Sequence, residues 1–166
     1  MISGERLDSA WVRSWCERTS AALEALQTSF AERHGFPPGE NAVLLATDGS
    51  SKATGALVDL TPIPSDLTTL YWVLSEVSMP DVGCGYFIHS PATVDAHFRE
   101  HGSVRLDDEM PALVFAGDGG GHLFAVAGSG RVWKSASASW CDDFRPVACG
   151  IQEFLEQLSQ EITDQN

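Results

Sequence analysis

The segment Leu113 to Lys134 constrains the fold of this chain more than any other. It reads Leu-Val-Phe-Ala, then Gly117-Asp118-Gly119-Gly120-Gly121-His122, then Leu-Phe-Ala-Val, then Ala127-Gly128-Ser129-Gly130, then Arg-Val-Trp-Lys. Short apolar runs bounded by glycine-rich breaks predict consecutive strands joined by tight turns, here a three-strand meander with a glycine loop in its first corner. Glycine lets backbone N–H groups approach an anion, so that loop is also a candidate phosphate cradle. A dinucleotide fingerprint, however, leads from a strand into a helix. Here the glycines lead into another strand, and no Lys-Ser or Lys-Thr follows. Gly117, Asp118, Gly119, Gly120 and Gly121 are therefore expected to form a structural corner, with glycine supplying positive φ and Asp118 bonding its own backbone.

The rest of the chain can be placed around this meander. Residues from about Arg6 to His34 read as one long helix, with Leu7, Trp11, Trp15, Ala22, Leu26 and Phe30 on one face, stopped by Gly35 and Pro37-Pro38-Gly39. Ala42 to Ala46 reads as a buried strand, Asp48-Gly49-Ser50-Ser51 as a turn, and Gly55 to Val58 as a second strand or a short helix. Ser65 or Asp66 can cap a helix through Leu67, Leu70, Tyr71 and Leu74. Val77 to Met79 and Gly85 to Ile88 follow as short strands around a turn at Pro80-Asp81-Val82-Gly83. Ser90-Pro91 starts a helix carrying Val94, His97, Phe98 and His101, which Gly102 ends. Phe144 to Ala148 is expected to supply a last strand. Gly150 precedes a final helix with Ile151, Phe154, Leu155, Leu158 and Ile162 as its buried stripe. The sum is an α+β single domain: a mostly antiparallel, curved sheet of about six strands flanked by about four helices.

Charge excludes several functions. Ten Lys and Arg against 23 Asp and Glu give a formal net charge of −13. A field of that sign repels nucleic-acid phosphates and anionic lipid headgroups, and speeds encounter with a basic partner protein. Apolar runs fall short of the roughly 20 residues that span a bilayer. The first residues lack a basic region followed by an apolar core, so a secretion signal is not expected and a cytoplasmic location is. Cys16, Cys84, Cys141 and Cys149 show no C-x-x-C pair and are expected to be reduced, buried or neutral residues. The acidic loops at Asp107, Asp108 and Glu109 and at Asp142 and Asp143 are the candidate partner-binding residues.

Catalytic constellations are weak. His97-Phe98-Arg99-Glu100-His101 matches the inverted zinc-protease pattern, in which both imidazoles hold a metal and Glu100 polarises its water. The candidate helix is only about three turns long, and a third ligand is missing at matching spacing. A metal-dependent hydrolase is thus a remote alternative. Cys84 has His89 a few residues on but nothing to orient it, and no G-x-S-x-G elbow occurs. No catalytic residue, metal or cofactor is expected.

Several motifs resemble the SUKH superfamily, the Smi/Knr-type domains found among bacterial immunity proteins and in fungal regulatory proteins. Ile63-Pro64-Ser65-Asp66-Leu67 is similar to a Leu-Pro-x-Asp-Leu helix opening, and Gly85-Tyr86-Phe87-Ile88-His89 to the strand that follows in that family. The longest match runs from Val114 to Val126 and on through Gly130-Arg131-Val132, with Ile151 to Leu158 resembling the closing helix. The resemblance covers about residues 63 to 158, with residues 1 to 36 as an added N-terminal helix. It implies a non-catalytic domain that recognises proteins, most often an immunity protein neutralising a polymorphic toxin, frequently a nuclease, by stoichiometric binding. A regulatory or adaptor module of the same fold is the alternative. The acidic charge agrees with a basic toxin domain as the partner.

Overall fold

The computed structural model describes residues 7–46, 65–102, 104, 106, 112–140 and 143–165. The readings for residues 48–58 lie outside them. Among the described residues the chain runs α1 (Ser9–His34), β1 (Ala42–Leu45), α2 (Ser65–Val73), β2 (Leu74–Met79), β3 (Tyr86–Ile88), α3 (Pro91–His101), β4 (Ala112–Asp118), β5 (Leu123–Ala127), β6 (Val132–Ser135), β7 (Phe144–Ala148) and α4 (Ile151–Gln165). The seven strands form one sheet in sequence order, every neighbouring pair antiparallel. The α+β class is as expected. The strand count is one higher than the six anticipated.

Local chemistry sets the helix ends. Asp8 caps α1 by accepting from the Ala10 N–H at 3.2 Å, and Gly35 closes it at φ +77°. Ser90 caps α3 by accepting from the Thr93 N–H, with Pro91 at the first helical position. Asp66 is not a cap: it sits in the first turn of α2, and its carboxylate accepts from the Leu7 N–H at 2.9 Å. Leu74, expected on that helix, is the first residue of β2.

Side-chain alternation gives the sheet two faces. On the first, Leu113, Phe115, Phe124, Val126 and Val132 join Trp15, Leu23, Leu67, Leu70, Ile151 and Leu155 in one large core under α1, α2 and α4. The Trp15 indole N–H donates to the Leu155 carbonyl at 3.0 Å and the Ser159 hydroxyl at 2.7 Å, which locks α1 to α4. The buried stripe of α1 is Val12, Trp15, Cys16, Thr19, Leu23, Leu26 and Phe30. It is rotated slightly from the expected one, leaving Trp11 and Ala22 half-buried. On the second face, Ala112, Val114, Ala125, Ala127, Trp133 and Phe144 pack with Val104, Leu106 and Trp140 in a smaller core.

One expectation of burial fails. β1 pairs only with β2 among the described residues, so it is an edge strand, with Leu44 48% and Leu45 61% exposed. Cys16 is buried, which pushes its thiol to about 11 with the charge of Glu17 adding to the effect. Cys84 and Cys149 are exposed, because one lies in the turn between β2 and β3 and the other in the β7–α4 junction.

Candidate functional site

The glycine corner between β4 and β5 is held from inside. One Asp118 carboxylate oxygen accepts from the Gly120 N–H at 2.9 Å, the His122 N–H at 3.0 Å and the His122 Nδ1 at 3.2 Å. Lys134 Nζ stands 3.6 Å from the other oxygen, and the Asp118 side chain is only 2% exposed. Burial alone would raise the carboxyl. The His122 backbone and imidazole contacts and the Gly120 N–H outweigh it and hold Asp118 below the ordinary carboxylate range. The Gly119 N–H donates to the Gly85 carbonyl at 3.0 Å, and a methyl group at Gly119 would overlap the Cys84 carbonyl. Gly121 has φ +88°. The run turns the chain and stacks it on the β2–β3 turn.

Beside this corner, on the second face, the described residues leave part of the sheet open. A cleft of about 380 Å³ lies over β2, β3 and β4, with Glu76, Ser78, Phe87, His89, Gly117 and His122 among its lining residues and Ser90 and Thr93 of the α3 start in its wall. Register places these groups: Ala42, Ser78, Phe87, Gly117 and Leu123 are successive cross-strand partners, and so share one face. Leu44 pairs with Glu76 in the next row of that face. The Tyr71 hydroxyl donates to the His89 carbonyl at 2.6 Å and the His89 N–H to the Phe115 carbonyl at 2.8 Å, fixing the backbone where β3 turns into α3. Burial first, and the nearby His97 ring second, push the His89 imidazole down to about 4.

Three histidines gather beside α3: His97 and His101, three and seven residues after Val94 and so on the same side of the helix, and His89 just before it. His89 and His97 rings lie 5.2 Å apart edge to face, and His101 stacks on Trp140 at 4.2 Å. His97 and His101 rings are 6.4 Å apart. The nearest Glu100 oxygen is 3.8 Å from His101 Nε2, with the Glu100 side chain mostly in solvent. The Nδ1 atoms of both His89 and His97 are buried without a hydrogen-bond partner among the described residues. Among the described residues no group of three His, Cys, Asp or Glu side chains could hold a metal ion. The spacing of His97 and His101 here packs both rings of α3 on Trp140.

Of the acidic loops, Asp107, Asp108, Glu109 and Asp142 lie outside the described residues. Asp143 is exposed just before β7, where its carbonyl accepts from the Ala136 N–H at 2.8 Å. Sequence reasoning missed Glu76 and Phe87 as site groups, and weighed His89 only as a possible partner of Cys84. One signal was present: Lys52 is the only lysine or arginine between Arg33 and Arg99, a stretch that holds seven Asp and Glu. Comparison with family models, curated proteins and solved structures finds no match for this chain. Among the described residues no helix is long and apolar enough to cross a membrane.

Proposed function

We propose that this chain is a non-catalytic protein-binding domain that neutralises a basic toxin domain by stoichiometric binding, in the manner of a SUKH-type immunity protein. The observation that carries this reading is the net charge of −13, with the residues from His34 to Phe98 almost free of positive charge. A nuclease or other polyanion-handling toxin must be basic to hold its substrate, so an acidic inhibitor can cover the same surface and be steered to it. The SUKH-like motifs of β3, of the β4–β6 meander and of α4 support the same conclusion. So does a sheet whose second face keeps a polar, open region beside a filled one.

The test is co-expression with the toxin encoded in an adjacent open reading frame, followed by growth rescue and co-purification. Rescue with a 1:1 complex is expected. Binding to a host protein with no effect on any toxin would instead assign a regulatory or adaptor role. Zinc bound near stoichiometrically to protein purified without chelator would redirect attention to His97, Glu100 and His101.

A further inference from the structure

Taking the chain as a module for a basic partner, we infer that the cleft over β2, β3 and β4 receives a lysine or arginine side chain of that partner, with Glu76 meeting its cationic head and Phe87 lining its stem. The carboxylate is available. Glu76 is exposed and makes no hydrogen bond or ion pair among the described residues, whereas Asp118 is satisfied by its own corner and Asp95 by Arg99 at 3.0 Å. Among the described residues no lysine or arginine lines the cleft to compete for Glu76.

The other lining groups select against alternatives. His89 stays neutral at physiological pH because it is buried beside His97, so it offers an anion no charge. Two carboxylates in the lining, Glu76 and Asp118, repel phosphate and carboxylate ligands. A purely apolar ligand would cover Glu76 without replacing its water, an unfavourable desolvation. A long aliphatic stem ending in a cation meets both needs, as lysine and arginine do when they lay the stem on apolar surface. Phe87 supplies that surface inside the cleft. Leu44, 48% exposed on the same face and opposite Glu76, extends it to the rim. Gly117, with no side chain, leaves the floor low between Phe87 and Leu123, its register partners. At about 380 Å³ the cleft is at the small end of ligand sites and suits a single side chain rather than a whole helix.

The experiment is an NMR titration of ¹⁵N-labelled protein with acetyl-Val-Arg-Val-amide and with the same peptide carrying citrulline, which keeps the shape of arginine and removes its charge. The arginine peptide is expected to shift the amides of Glu76, Ser78, Phe87 and His89. It should bind about tenfold more tightly than the citrulline peptide, the scale of one hydrogen-bonded charge partner. Glu76→Gln, a substitution at an exposed position, should erase that difference while leaving the rest of the spectrum in place. Equal affinities for the two peptides, an undiminished preference in Glu76→Gln, or no shift at these amides overturns the assignment. If the arginine peptide instead shifts amides near Glu153, Glu156, Glu161 and Asp164 of α4, the cleft assignment falls while the basic-partner reading stands. That reading fails separately, in the growth-rescue assay.

Discussion

On the first face of the sheet, α1, α2 and α4 enclose Trp15, Leu67, Leu70, Phe115, Ile151 and Leu155 completely. On the second, Val104, Leu106 and Trp140 pack onto β4 to β7, and the described residues leave β2 and β3 open at Glu76, Ser78 and Phe87. The same seven strands therefore carry a closed core on one side and, on the other, a smaller core over β4 to β7 beside an accessible, acid-edged patch over β2 and β3. Burial of apolar area holds the fold together, so the stability belongs mainly to the first face. The second face is where side chains can be spent on recognition, because changing them leaves the enclosed core intact.

Substitutions should separate the two faces. Trp15→Ala removes a fully enclosed indole and both of its hydrogen bonds, and should cost about 3–5 kcal/mol in urea denaturation. A cost under about 1 kcal/mol would mean that α1 is not part of the core.

The next effect is pH-dependent and lies at the boundary of the two faces. His89 has an ordinary value of 6.5 in the unfolded chain and about 4 when folded. As pH falls through 6.5, the unfolded chain takes up the proton first, so stability drops between about 6.5 and about 4 and is level below. The His89 share reaches at most about 3 kcal/mol by the pKa-to-energy conversion. Asp118, depressed in the fold, adds a loss of the same sign further into acid. Urea midpoints for wild type and His89→Phe at pH 7 and pH 4.5 check this: the variant should lose less stability on acidification, and an identical loss would remove His89 from the account.

Gly119→Ala should cost about 1–3 kcal/mol, because the new methyl must push the β4–β5 corner off the Cys84 carbonyl. Thermal unfolding reads this directly. The smallest effect belongs to the open surface: Glu76→Gln should change stability by no more than about 0.5 kcal/mol, as expected of an exposed side chain without partners.

The parts of the molecule visible in the sequence are those fixed by short-range pattern. The β4–β6 meander, the Ser90-Pro91 start of α3 and the Ile151-to-Ile162 stripe of α4 all follow from turn residues and periodicity within a few positions. The exact stripe of α1 does not. A 26-residue helix offers neighbouring apolar stripes, and the choice of Trp15 over Trp11 was made by Leu155 and Ser159, distant in the chain. The edge position of β1 is likewise tertiary, so its apolar Leu44 and Leu45 read as buried. The cleft was illegible for the same reason. Glu76, Phe87, Gly117 and His122 come from separate strands and turns, and only the register of β2, β3, β4 and β5 brings them together. The corner residues Gly117 to Gly121 were legible because Asp118 bonds to groups two and four positions away.

The contrast between the faces is tested most directly by amide hydrogen exchange on the complex with the co-purified toxin, compared with the free protein. Added protection is expected at Glu76, Val77, Ser78, Phe87 and His89, with the amides of α1, α2 and α4 unchanged. Added protection on the outward side of α1 or α4, or only around Asp107 to Glu109 and Asp142 to Asp143, with β2 and β3 exchanging as in the free protein, would contradict the assignment of recognition to the open half of the second face.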